Sequence, residues 1–210
     1  GIHHITAITG DAQANVDFYT RVLGLRMVKK TVNQDDPTVY HLFYADEQGS
    51  PGSDITFFEY PGVARGRAGA GMVHTVEWRV GSADALDFWE PRLAGEATAV
   101  GRDDGGLTFE DPEGLRHRLV VSTGDDPPLV AEHPEIPAEH ALQGFHGVRA
   151  YTADPEASRA ALEETLGFER DDGDRAWEVR GEQRGSFYAY DEPPAERGQG
   201  GAGTVHHVAW

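Results

Sequence analysis

The chain contains no cysteine, only two lysines, and no apolar run approaching the length that crosses a bilayer. Without thiols there are no disulfides and no thiolate metal sites, so any bound metal must be held by His, Asp or Glu. A membrane-spanning helix needs roughly 18 or more consecutive apolar residues, which no segment supplies. No secretory signal pattern is visible from Gly1 onward, and the expected location is the cytoplasm. Lys29 and Lys30 are the two lysines, and the other basic residues are all arginine. Against 18 basic residues stand 36 acidic ones, for a formal net charge of -18. Nucleic acid and anionic membranes are therefore poor partners. An acidic, lysine-poor surface is also what a protein working at high salt carries, where screening suppresses self-repulsion. The same numbers describe an ordinary acidic bacterial protein.

What is present is a repeat. The 210 residues, 39% hydrophobic and 26% charged, suit a globular chain with a real core. Apolar-His strands begin four times: Ile2-His3-His4-Ile5, Val73-His74-Thr75-Val76, Phe145-His146-Gly147-Val148 and Val205-His206-His207-Val208. Such self-similarity, with the first histidines at 3, 74, 146 and 206, points to a repeated supersecondary unit.

After the first strand, Asp11 can cap a helix whose apolar face carries Val16, Tyr19 or Phe18, Val22 and Leu23, with Gly24 as its end. Unit two repeats this from Ser82 to Gly95, and unit three from Asp154 to Phe168. Each helix precedes β-rich segments, and Asp111-Pro112-Glu113-Gly114 makes a turn between two of them. Every unit reads as strand, helix, then about three strands. The expected fold class is α+β: tandem βαβββ modules forming curved mixed sheets with helices outside. An N-terminal pair of modules fills 1-121 (1-61 and 72-121), a proline-rich linker fills 122-143, and 144-210 holds a third module plus the first strand of an incomplete fourth. Residues 62-71, rich in Gly, Ala and Arg, read as a flexible connection.

The His-bearing opening strand, the Phe18-Tyr19-x-x-Val22-Leu23-Gly24-Leu25 helix end and the Asp-Pro-Glu-Gly turn resemble the vicinal oxygen chelate superfamily, which includes glyoxalase I, bleomycin-resistance proteins and extradiol dioxygenases. More narrowly, Ile2-His3-His4-Ile5-Thr6 and Gly203-Thr204-Val205-His206-His207-Val208 resemble the ring-cleaving dioxygenases of hydroquinone and chlorohydroquinone type. The resemblance covers nearly the whole chain.

Strand parity selects among the histidines, because neighbours point to opposite faces. Ile5 and Ala7 should pack under the helix, leaving His4, Thr6 and Ile8 on the concave face; the same parity places His207 in the cavity and Val208 and Trp210 under a helix. His4 and His207 are thus the expected metal ligands. The resemblance implies supporting or proton-handling roles for His3, Thr6 and His206. In units two and three, Thr75 and Gly147 take the cavity slots, and His74 and His146 read as hydrogen-bonded core histidines. A non-haem iron site needs two His and one carboxylate. The last-strand slots hold Thr56, Arg118 and Tyr188, none of them a carboxylate. The third ligand is expected beyond Trp210, with Glu59 as the alternative within the chain.

The resemblance therefore implies an Fe(II)-dependent ring-cleaving dioxygenase acting with O2 on a hydroquinone or catechol-like aromatic. Mn, Zn or Ni are the alternative metals. A glyoxalase-like isomerase or lyase, or a metal-free binding or resistance module, are the competing functions. Modules of this superfamily pair within one chain or between chains, which leaves a homodimer open.

Overall fold

A computed structural model describes residues 1-103, 105-171 and 175-210. The first unit runs β1 (His4–Thr9), α1 (Ala12–Asp17), β2 (Arg26–Val32), β3 (Tyr40–Ala45) and β4 (Asp54–Glu59). The second has β5 (Val73–Val80), α2 (Ala83–Leu93), β6 (Thr98–Asp103), β7 (Gly106–Glu110) and β8 (Arg116–Val121). In the third, β9 (Phe145–Tyr151) leads through short helical turns to β10 (Glu169–Arg170), β11 (Ala176–Arg180) and β12 (Gly185–Asp191), and β13 (Val205–Ala209) follows. The strand-helix-strand-strand-strand order matches the sequence pattern.

Local chemistry starts the helices where expected. Asp11 accepts from the Ala14 N–H and Ser82 from the Ala85 N–H, each meeting a backbone donor that a helix start leaves free. One detail was not in the pattern. After α1 the helix widens into a π-turn over Phe18–Val22, with Leu23 N–H donating to the Phe18 carbonyl. The wider turn lets Phe18 and Tyr19, adjacent in sequence, both bury completely.

The strands assemble into two mixed sheets, ordered β13-β1-β4-β3-β2 and β10-β11-β12-β9-β5-β8-β7-β6. In the larger sheet the central antiparallel pair β5 and β9 is flanked by parallel partners on both sides; in the smaller one β1 pairs antiparallel with β13 at the sheet edge and parallel with β4. Sheet pairing thus runs across the sequence units, while the core joins units one and two. Ile5, Phe57, Tyr19, Trp78, Trp89, Phe109 and Phe145 belong to one buried cluster, and Leu162, Phe168 and Trp177 form a smaller one under unit three.

A polar chain runs through the main core. Tyr19 OH donates to Asp111 Oδ2 at 3.0 Å and lies 2.9 Å from His117 Nε2, while Trp78 Nε1–H donates to His117 Nδ1 at 3.1 Å. Because Tyr19 has one proton and Trp78 only donates, His117 must carry its proton on Nε2. Burial drives the His117 pKa down to about 3, consistent with that neutral ring. Asp111 also accepts the Glu113 and Leu115 N–H groups, so the Asp-Pro-Glu-Gly turn of unit two is pinned to the helix of unit one.

Two expectations change. The 62-71 connection is not a loose linker: Arg65 and Arg67 form backbone bridges to Ala202 and Gln199, and a Cβ on Gly69 would collide with the Gly198 backbone. Glycine serves close approach of two chains there rather than flexibility. Trp210 does not lie under a helix; it is half-exposed and its ring meets Phe168 edge-on at 4.8 Å.

Tyr19→Phe should lower unfolding free energy by about 1–3 kcal/mol in urea denaturation, because two buried partners lose their bond while the ring still fills its place. The His117 linkage has a definite sign. Its folded pKa lies below the unfolded value, so the unfolded state binds more protons below about pH 6.5 and stability falls as pH drops. Replacement by Asn should reduce the slope of unfolding free energy against pH between 6.5 and 4 by up to about 1.4 kcal/mol per unit.

Candidate metal centre

The concave face of the five-stranded sheet gathers the histidines of both chain ends. Register sets Thr6 opposite His207 and His4 opposite Ala209 across β1 and β13, and Thr6 beside Thr56 on β4. His4 Nε2 and His207 Nε2 stand 3.2 Å apart. Each ring is held through its other nitrogen by its sequence neighbour: His4 Nδ1 lies 3.0 Å from His3 Nδ1, and His207 Nδ1 lies 2.8 Å from His206 Nδ1.

Strict alternation would turn His206 to the far face. A register shift between Thr6 and Ala7, which pair with His207 and Val205, leaves His206 as an extra residue in β13. That bulge brings its ring beside His207 and edge-on to Phe58 at 5.4 Å.

Sequence reasoning missed His41. It lies on β3 with its Nε2 2.8 Å from Thr56 Oγ1, and its ring sits between Phe43 and Phe58 at 4.0 and 4.4 Å. Thr56 and Thr6, both fully buried, are 2.8 Å apart, and Thr6 Oγ1 is 3.1 Å from His207 Nε2. Each hydroxyl carries one proton, so a consistent pattern runs His41 Nε2–H to Thr56, Thr56 to Thr6, and Thr6 to the His207 lone pair. The available signal was parity: Leu42 and Tyr44 are the buried alternates of β3, which leaves His41 and Phe43 on the other face.

Asp54 was missed as well. It is the register neighbour of His4 on β4, and its buried Oδ1 has no hydrogen-bond partner among the described residues. Burial, with Asp46 nearby, pushes its pKa up to about 6.

All three facing imidazoles are held neutral. Burial and then His207 and His3 lower the His4 pKa; burial and then His206 lower that of His207. For His41, burial followed by His4 and His207 brings it down to about 4. Neutral imidazole is the form that binds metal. Two Nε2 atoms converging at 3.2 Å, each with Nδ1 engaged behind it, present a two-nitrogen donor set that fits a cation. Among the described residues no group of three or more His, Asp or Glu is gathered tightly enough to enclose one.

Glu59 does not join them. Its Oε1 accepts the Ala12 N–H at 3.2 Å, where its charge suits the start of α1, and its odd position puts it on the face opposite Thr56 and Phe58. His74 is hydrogen-bonded as expected, to Asp191 and Thr75 at 2.9 Å each, but it borders a cavity beside Thr75 instead of packing on the core side. His146 is packed on the Phe187 ring at 4.8 Å, and its ring makes no hydrogen bond among the described residues.

Residues 1–119 match the model of the Glyoxalase/Bleomycin resistance protein/Dioxygenase superfamily. The chain belongs to that superfamily. It is 40% identical over 216 residues to the Bacillus subtilis (strain 168) protein named "Putative ring-cleaving dioxygenase MhqO", covering 100% of this chain and 69% of that protein. It is 36% identical over 154 residues to the chlorohydroquinone/hydroquinone 1,2-dioxygenase of Sphingobium indicum, covering 70% of this chain and 48% of that one. The crystal structure of a "putative dioxygenase" from Bacillus subtilis superposes with a TM-score of 0.86 at 39% identity, covering 100% of this chain and 69% of that chain. No helix among the described residues is long and apolar enough to cross a membrane.

Histidine titration followed by NMR checks the electrostatics. The His41 ring should stay neutral well below pH 6 in the unaltered chain. In a His4→Gln, His207→Gln double variant its midpoint should rise yet remain under 6.5, since burial is the larger cause.

Proposed function

We propose that this chain carries the greater part of an Fe(II)-dependent, extradiol-type dioxygenase that opens a hydroquinone or catechol-like ring. The observation that supports this most is the convergence of His4 and His207 Nε2 atoms at 3.2 Å, each ring steadied at Nδ1 by its neighbour. His4 and His207 hold the metal. A carboxylate from sequence following Trp210 in a longer protein completes the two-His, one-carboxylate set, which leaves open positions for substrate and O2.

Bound iron would supply Lewis acidity and one-electron chemistry between a phenolate and O2. The chain's own residues do the rest. His3 and His206 fix the tautomer and direction of the ligand rings through Nδ1. Thr6, 3.1 Å from His207 Nε2, would release that lone pair to a bound metal, and with His206 it lies where a substrate hydroxyl proton can be taken up or returned. Phe43, Phe58 and His41 form an aromatic wall beside the donors, suited to a flat ring. Glu59, engaged at the start of α1, supplies no second carboxylate ligand, which weighs against a glyoxalase-like lyase. The paired histidine scaffold weighs against a metal-free binding module.

The test uses protein extended to the length of its relatives, loaded with Fe(II), Mn, Zn or Ni, with O2 uptake measured on hydroquinone. Fe(II) should support turnover at one iron per chain. His4→Ala and His207→Ala should each abolish iron binding and turnover, whereas His3→Gln and His206→Gln should cost about 10–100-fold. Retained turnover in either ligand variant would sink the assignment.

A further inference from the structure

The two sheets repeat one cradle with different contents. Thr75, Glu77 and Gly147 occupy the positions in β5 and β9 that His4, Thr6 and His207 occupy in β1 and β13, and Arg118 stands where Thr56 does. A Cβ on Gly147 would press into the Phe187 backbone, so no imidazole fits there. In place of metal donors, this second cradle holds guanidinium groups.

Their charges are not equally matched. Arg118 donates to Asp103 and Glu77, and Arg149 to Asp191, so both are committed to acids. Arg116 is matched only loosely. Its ion pair with Glu110 spans 3.6 Å, too long for a hydrogen bond, and it shares that carboxylate with Arg65 at 3.1 Å. Arg67 donates to the Arg197 backbone carbonyl, a neutral acceptor. These three arginines and Glu110 line a cavity of about 490 Å³ in which Glu196 is the other acid, a surplus of one positive charge in a chain of net -18. Arg116 also borders an adjoining cavity of about 330 Å³. One wall is the Tyr151 ring, backed by His74 at 3.8 Å and nearly parallel to it. His74 cannot swing away, since Asp191 and Thr75 hold both its nitrogens.

We propose that this cavity binds a small organic acid, its carboxylate on Arg116 and Arg65 and its apolar body against Tyr151. Guanidinium groups suit a carboxylate because their parallel N–H donors match its two oxygens. The elements that line it all belong to the described chain and are independent of the metal centre, so this site and the dioxygenase reading stand or fall separately.

Benzoate is the probe and acetate the comparison, titrated into the 210-residue chain and followed by backbone NMR shifts. Benzoate should saturate shifts at Tyr151, Arg116 and Arg65, and bind more tightly than acetate. Arg116→Gln and Arg65→Gln should each weaken benzoate at least about tenfold. Arg21→Gln, an equal change of charge on the first unit's helix, should leave it unchanged. Equal affinity for acetate would overturn the role of the Tyr151 wall. Shifts confined to other residues, or equal weakening by Arg21→Gln, would overturn the site itself.

Discussion

The candidate centre depends on one backbone interaction, the antiparallel pairing of β1 with β13. His3 N–H donates to the Ala209 carbonyl at 2.7 Å and Ile8 N–H to the Thr204 carbonyl at 3.0 Å, closing the ladder at both ends. Those bonds set Thr6 opposite His207 and bring two histidine pairs, some two hundred positions apart, into one cluster. The meeting of the two Nε2 atoms needs one histidine from each strand. The bulge adds what a regular ladder would withhold, a second histidine of β13 on the same face.

The shared cradle explains how one architecture holds unlike chemistry. In both sheets an antiparallel pair (β1 with β13, β5 with β9) joins two units and β1 and β5 each have a parallel neighbour, and the core side is apolar in each. Only the facing residues differ. Two imidazoles backed by threonine hydroxyls favour a cation; Arg118 and Arg149 around Glu77 form an ionic lattice that leaves no lone-pair donors to converge. Four or five side chains therefore separate a metal cradle from an arginine-lined one. The buried Tyr19–His117–Asp111 chain keeps the units carrying those faces in a fixed relation, because breaking it would strand polar groups where water cannot reach them.

Much of this was legible in the residues. The repeated His motifs marked where β1, β5, β9 and β13 begin, Asp11 and Ser82 marked helix starts, and alternation separated Ile5 and Ala7 from His4 and Thr6. These signals are local, and local steric and hydrogen-bonding rules govern them. His41 and Asp54 stayed hidden because a lone His or Asp on a strand carries no mark of what lies beside it until neighbouring strands fix their register. The glycines of 62-71 were misread for a related reason: close backbone approach and flexibility select the same residue.

By itself, then, the sequence determined the α+β module, the absence of thiolate ligands and the face of its strand that His4 shares with Thr6, since composition and period-two alternation are properties of a strand taken alone. Tertiary structure decided that the Nε2 atoms of His4 and His207 meet at 3.2 Å, that the His206 ring lies beside His207 and Phe58, that His41 and two threonines stand behind them, and that Glu59 belongs to a helix start. Those outcomes rest on register, a bulge and contacts between distant segments, which exist only once the strands have paired.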